Sequence, residues 1–121
     1  MSDDRIKKAG ATAKALFGKR LDTGVDTSDG VLTDAFAHVY GEVWSRPGLD
    51  LKTRSLITVA ALVALNKPDE MRIHLQGALN VGWTRGQLRE AFLQLGYYAG
   101  FPAALDAMRL LDETTGETKG A

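Results

Sequence analysis

His74 stands four residues after Glu70 in the stretch Pro-Asp-Glu-Met-Arg-Ile-His-Leu-Gln-Gly-Ala-Leu-Asn-Val, residues 68–81. Of all the side chains in the sequence, these two have the clearest capacity for proton chemistry. Residues four apart on a helix are neighbours, so a Glu70 carboxylate would accept a proton from the imidazole, fix its tautomer and raise its basicity. Met71, His74, Leu75, Ala78 and Leu79 recur at the three-and-four spacing of one apolar face, which turns His74 toward the interior. The same pattern also fits a hydrogen-bonded core histidine, and acid–base pairs at this spacing are common on helices. The residues by themselves leave both readings open.

The element that must carry this pair is a helix. Pro68 suits a first turn because its missing N–H and fixed φ cost nothing there, and Asp69 and Glu70 put negative charge at the positive end of the helix dipole. Residues 3–17 form an earlier amphipathic pattern, with Ile6, Ala9, Ala13, Leu16 and Phe17 near one face and Gly18 placed to end it. Residues 19–30 turn polar and glycine-bearing and read as an irregular surface connection into which Val25 tucks. Residues 31–45 resume a helical period, with Leu32, Ala35, Phe36, Val39, Tyr40 and Val43 on the apolar side and a cap available from Ser28 or Asp29. Gly41 weakens that helix, so either another backbone or a ligand comes close there or the glycine is merely tolerated.

Arg46-Pro47-Gly48 breaks the pattern, and Asp50 caps a helix over residues 51–65 that is apolar nearly all round after its first turn. One small domain can hardly cover such a helix, so a second subunit is expected to cover part of it or of its neighbours. The helix from Pro68 ends near Gly82. Thr84 and Gln87 then form a capping box for residues 85–99, with Leu88, Ala91, Phe92, Leu95, Tyr98 and Ala99 inward. Gly100-Phe101-Pro102 opens a last helix to about residue 114, packed through Ala103, Leu105, Met108, Leu110 and Leu111, and residues 115–121 read as a fraying tail. No strand is convincing. The expected fold is all-α, a bundle of five or six helices in one domain spanning residues 1–121.

Composition narrows the function. Fifteen basic and fifteen acidic residues cancel and are scattered, which leaves no electrostatic footprint for nucleic acid or an anionic membrane. The chain contains no cysteine, which removes disulfides, thiolate metal sites and thiol redox chemistry together. No secretory leader and no apolar run long enough to span a bilayer are found, so a cytosolic location is expected. His38 reads mainly as structural, and two histidines without a paired Glu-x-x-His pattern make no metal site.

Five fragments in order carry a resemblance: Tyr-Gly-Glu-Val-Trp-Ser-Arg-Pro-Gly-Leu (40–49), Lys-Thr-Arg-Ser-Leu (52–56), Glu-Met-Arg-Ile-His (70–74), Asn-Val-Gly-Trp-Thr (80–84) and Tyr-Ala-Gly-Phe-Pro-Ala-Ala (98–104). Together they resemble the gamma-carboxymuconolactone decarboxylase family, over about residues 15–111. The wider superfamily includes alkylhydroperoxidase D-type enzymes, whose motif has two cysteines and a histidine. Lys67 and Glu70 stand where those cysteines would be, and Ser55 where their proton-relay glutamate would be, so thiol peroxidase chemistry is excluded. Gly86-Gln87 and Leu105-Asp106 depart from the decarboxylase pattern.

The resemblance implies an alkylhydroperoxidase D-like fold and decarboxylation of gamma-carboxymuconolactone, a small dianionic lactone, to the enol-lactone on the route from protocatechuate to beta-ketoadipate. No cofactor is implied, because the lactone itself is the electron sink. His74 would deliver a proton or bind the dienolate, with Glu70 orienting and charging it and Glu42 as a second candidate carboxylate. Arg46 and Arg54 would hold the dianion through two-pronged hydrogen bonds, with Arg72 a weaker candidate. Trp44 and Tyr98 would wall the pocket. Packing and solvated surface roles explain these arginines and aromatics as well. The family also implies a ring-like homohexamer. The other reading is a homologue that acts on a different lactone or keto acid, or a non-enzymatic helical oligomer.

Overall fold

In a computed structural model, residues 2–18 and 29–116 are described. Residues 19–28 of the connection expected over residues 19–30, with Ser28 as a possible cap and Val25 tucked inward, and the tail from residue 117 onward fall outside them, and Gly30 already belongs to α2. The described residues form six α-helices and no strand: α1 (Ser2–Phe17), α2 (Gly30–His38), α3 (Leu51–Leu65), α4 (Pro68–Asn80), α5 (Arg85–Ala99) and α6 (Phe101–Thr115). Between α2 and α3 runs one π-helical segment, Val39–Val43.

Local signals set the ends. Gly18 takes a φ of +79° and donates from its N–H to the Lys14 carbonyl, ending α1. Asp29 caps α2 by accepting from the Val31 and Leu32 amides, and Asp50 caps α3 by accepting from Thr53 at 2.7 Å. Hydrogen bonding from the Thr53 side chain first and its backbone amide second holds the Asp50 carboxyl below its ordinary pKa. Thr84 and Gln87 complete the capping box of α5 in both directions. Thr115, expected to begin a frayed tail, instead completes α6 and donates from its hydroxyl to the Leu111 carbonyl.

Helix α4 lies at the centre. With α3, α5 and α6 it builds the main core, in which Val59, Val63, Met71, Leu75, Ala78, Leu88, Phe92, Ala107, Leu110 and Leu111 are buried. Its other flank packs on a second cluster, Ala13, Leu16 and Phe17 of α1, joined by Phe36, Tyr40, Trp44, Leu51, Ile73 and Val81. Asn80 ties the two together by donating to the carbonyls of Ala15 and Leu16 at the end of α1.

Two expectations about inward faces are corrected. Tyr98 is 85% exposed and Leu105 is half exposed, while Ala104 and Ala107 take the buried stripe of α6. The reason is helical phase: buried positions 104, 107 and 111 fall on one line, and position 105 lies about 100° off it. On α5 the buried line is Leu88, Phe92 and Gly96, which leaves Tyr98 outside. Ile57 and Leu65 of α3 remain exposed, as the all-round apolar pattern of that helix requires.

The helix expected over 31–45 is continuous in path but changes pitch. Its π-helical turn contains Gly41, where an added Cβ would sit 2.7 Å from the Arg5 carbonyl oxygen and 3.5 Å from the Ala9 side chain. The glycine is there because the backbone of α1 comes close. Gly41→Ala is expected to push α1 away and cost about 1–3 kcal/mol, as overpacking does. Gly10→Ala, on α1 with nothing within 4 Å of its added Cβ, is expected to gain about 0.5–1 kcal/mol from helix propensity. Urea denaturation of the two variants beside wild type checks the contrast.

Candidate active site

The imidazole of His74 is 7% exposed and is walled by aromatic rings from two other elements. Phe17, at the end of α1, meets it edge-on with ring centroids 5.3 Å apart. Trp44, just past the π-helical turn, stacks on it at 6.0 Å and 21°. Tyr40 lies 5.8 Å from Trp44 and 6.1 Å from Phe17, and Phe36 lies 5.2 Å from Tyr40. Phe36, Tyr40 and Trp44 are successive members of an i, i+4 ladder, so one helical path delivers three rings in line, of which Trp44 meets His74.

Burial decides the charge of the imidazole. It pushes the His74 pKa down from 6.5 to about 4, so the free site holds a neutral ring at neutral pH. Nδ1 is buried without a hydrogen-bond partner. The expected Glu70 pairing is therefore corrected. The Glu70 carboxylate is exposed, does not hydrogen-bond Nδ1 and does not raise the basicity of the ring. Its charge acts on Tyr40 instead. Burial first and the Glu70 charge second push the Tyr40 phenol up to about 12.

The other candidates divide. Glu42 is held in an ion pair with Arg5 Nε at 2.6 Å and lies 3.6 Å from His38 Nδ1, half exposed, so α1 already occupies this carboxylate. Arg54 is a clamp on the bend after Trp44. Its Nε donates to the Leu49 carbonyl and its Nη2 to the Arg46 carbonyl, each at 3.1 Å, spanning Pro47 and Gly48. Those bonds commit one edge of a guanidinium expected to grip substrate. Arg46, at the head of that bend, is exposed and enters no ion pair among the described residues. Arg72 pairs with Asp69 at 3.0 Å and approaches Glu113, which occupies it on the surface. Tyr98 takes no part in the aromatic enclosure.

Sequence reasoning finds only packing roles for Phe17, Phe36 and Tyr40, although the 36, 40, 44 aromatic spacing is visible in the chain. Ser55 of α3 is also fully buried with an unpartnered hydroxyl, and no sequence pattern marks it beyond its replacement of a glutamate. Among the described residues, no three His, Asp or Glu side chains gather as a metal ion would require.

The model of the carboxymuconolactone decarboxylase family matches residues 31–113. The chain belongs to the carboxymuconolactone decarboxylase family. That match contains Tyr40, Trp44, Arg46, Arg54 and His74, while Phe17 precedes it. The chain is 50% identical over 74 residues to a 4-carboxymuconolactone decarboxylase of Acinetobacter baylyi, covering 61% of this chain and 55% of that protein. It is 40% identical over 75 residues to the nitrosuccinic acid decarboxylase npaB of Metarhizium robertsii, covering 62% and 52%. The chain thus spans a little over half the length of these curated relatives. None of the described helices is long and apolar enough to cross a membrane.

The buried imidazole links stability to pH. Between 6.5 and about 4 the unfolded chain binds a proton at His74 that the folded chain does not, so stability is full above pH 6.5 and falls as the pH drops toward 4. The loss should be on the order of 3 kcal/mol across that window, since a tenfold difference in proton affinity is worth about 1.4 kcal/mol. Urea titrations at neutral pH and near pH ~4.5 should show this loss in wild type, and His74→Gln should remove most of the difference.

Proposed function

We propose that this protein is a cofactor-independent carboxy-lyase acting on small dicarboxylates whose departing carboxylate is attached to an internal electron sink. The observation that carries the reading is the neutral, buried His74 imidazole with an unpartnered Nδ1, enclosed by Phe17 and Trp44. Family membership supports the reaction type.

The names of the two relatives point to one substrate skeleton. In 4-carboxymuconolactone a single carbon bears the departing carboxylate, a carboxymethyl arm and the end of an unsaturated lactone. In nitrosuccinic acid the corresponding carbon bears a carboxylate, a carboxymethyl arm and a nitro group. Loss of CO2 sends the bonding electron pair into the lactone carbonyl in one case and the nitro group in the other. No metal or bound cofactor is needed to receive it. The lactone is the first choice for this chain, with the enol-lactone as its product, because the lactone decarboxylase is the more similar of the two relatives. The nitro acid is the second reading.

The protein's tasks then follow from its side chains. Arg46, exposed and without an ion pair among the described residues, is the candidate for gripping a carboxylate, and Arg54 positions it by clamping the bend on which it stands. The aromatic walls keep water from the developing carbanion. A dianion beside His74 favours the imidazolium, so substrate binding draws in the proton that the empty site excludes. That proton passes to the carbon next to the lactone carbonyl, and solvent reprotonates the ring. Charges balance: a dianion and one proton become CO2 and a monoanion. Assembly into a homo-oligomer, with a hexamer as the expected form, is supported by the exposed apolar side chains of Ile57, Leu65, Leu93 and Phe101.

Gamma-carboxymuconolactone generated in situ, and nitrosuccinate in parallel, test the reading by ultraviolet or NMR monitoring against spontaneous decay. Wild type should accelerate enol-lactone formation well above that baseline. His74→Gln should lower kcat roughly 10²–10⁴-fold with helicity intact, the range of a lost general acid. Arg46→Ala should raise KM about tenfold or more, as loss of a charged hydrogen bond does. Acceleration of the nitro acid alone would select the second reading, and no acceleration of either would overturn the proposal.

A further inference from the structure

We propose that the Tyr40 hydroxyl is a second hydrogen-bond donor of this site, serving the oxyanion that forms as CO2 leaves. This rests on the decarboxylase reading above. Tyr40 and His74 share two neighbours: each ring lies within about 6 Å of both Phe17 and Trp44. The phenol is half-buried, yet its hydroxyl makes no hydrogen bond among the described residues. The hydroxyl oxygen stays accessible while the ring behind it is packed, which leaves the donor open to a ligand. A phenylalanine would fill the same space between Phe17, Phe36 and Trp44 but would bring no donor to that accessible edge.

The backbone supports the assignment independently. Tyr40 sits in the π-helical segment Val39–Val43, a conformation rare enough in proteins that its occurrence concentrates at functional sites. Three aromatic contacts fix the ring, so its hydroxyl is aimed before substrate arrives. Burial first and the negative charge of Glu70 second disfavour phenolate, so Tyr40 keeps its proton and stays a donor around neutral pH.

The step conserves its atoms simply. The bond between the substrate carbon and the departing carboxylate breaks, and its electron pair moves through the unsaturated system to the acceptor oxygen. Tyr40 keeps its proton and donates a hydrogen bond to that oxygen, while His74 supplies the proton that later reaches carbon. Substrate and enolate differ most in charge at that oxygen, so a donor there lowers the barrier more than it strengthens ground-state binding.

Tyr40→Phe tests this against a merely structural role. It should lower kcat about 10- to 1000-fold on the substrate that wild type turns over, with KM within roughly threefold and thermal stability unchanged or raised. The nitronate of 3-nitropropanoate, a stable dianion with charge on its nitro oxygens, should bind the variant at least about tenfold more weakly than wild type by tryptophan fluorescence, while glutarate binding stays the same. Active wild type with an equally active Tyr40→Phe, or equal loss of nitronate and glutarate binding, overturns the inference and leaves the decarboxylase reading standing. A wild type inactive on both substrates overturns the two together.

Discussion

Burial of α4 on two sides is the constraint from which the rest follows. One side of the helix, through Met71, Leu75 and Ala78, completes the main core, and the other side meets α1 closely enough that an added Cβ at Gly77 would lie 3.1 Å from the Phe17 ring. His74 falls where these two surfaces meet. It is desolvated because its helix cannot bury both sides without burying it too, and that desolvation keeps the ring neutral while the site is empty. An apolar residue there would pack at no such cost, so the imidazole is held against a penalty that folding alone does not explain.

The segment between α2 and α3 converts that buried ring into a site. Gly41 lets the backbone of α1 approach, and Ser45 donates to the Gly41 carbonyl at 2.7 Å across the widened turn. The altered pitch carries the aromatic ladder from Phe36 through Tyr40 to Trp44 and leaves Trp44 flat against His74. Arg54 then fixes the following bend through two carbonyls. Turn, ladder and clamp act on one short stretch, while α5 and α6 contribute rigidity from behind.

A neutral imidazole inside aromatic walls suits a substrate that brings its own charge and its own electron sink. A neutral ligand would leave the ring uncharged. A dianion would change that. In the proposed reaction, proton uptake would accompany binding, so acid strength would appear at His74 only when there is a carbanion to quench.

Local chemistry was legible in the sequence. The six helices, the caps at Asp29, Asp50 and Thr84, the stop at Gly18 and the inward turn of His74 follow from spacing and side-chain type over a few residues, and so does the family resemblance. The partners of the charged groups were not legible. Glu70 and His74 are four apart, which predicts a bond, but burial of one and exposure of the other put them in different media. Glu42 and Arg54 look like free groups along the chain, and each is occupied: Glu42 by a side chain 37 positions earlier, Arg54 by carbonyls that only the folded bend presents. Tyr98 has an inward period by pattern and an outward position by phase. The sequence by itself determined which helices form and which faces are apolar, because those depend on neighbours along the chain. The tertiary structure decided which titratable groups are dry, which are paired and which aromatic rings meet His74, because solvent exclusion and contact across helices depend on residues that the chain brings together only on folding.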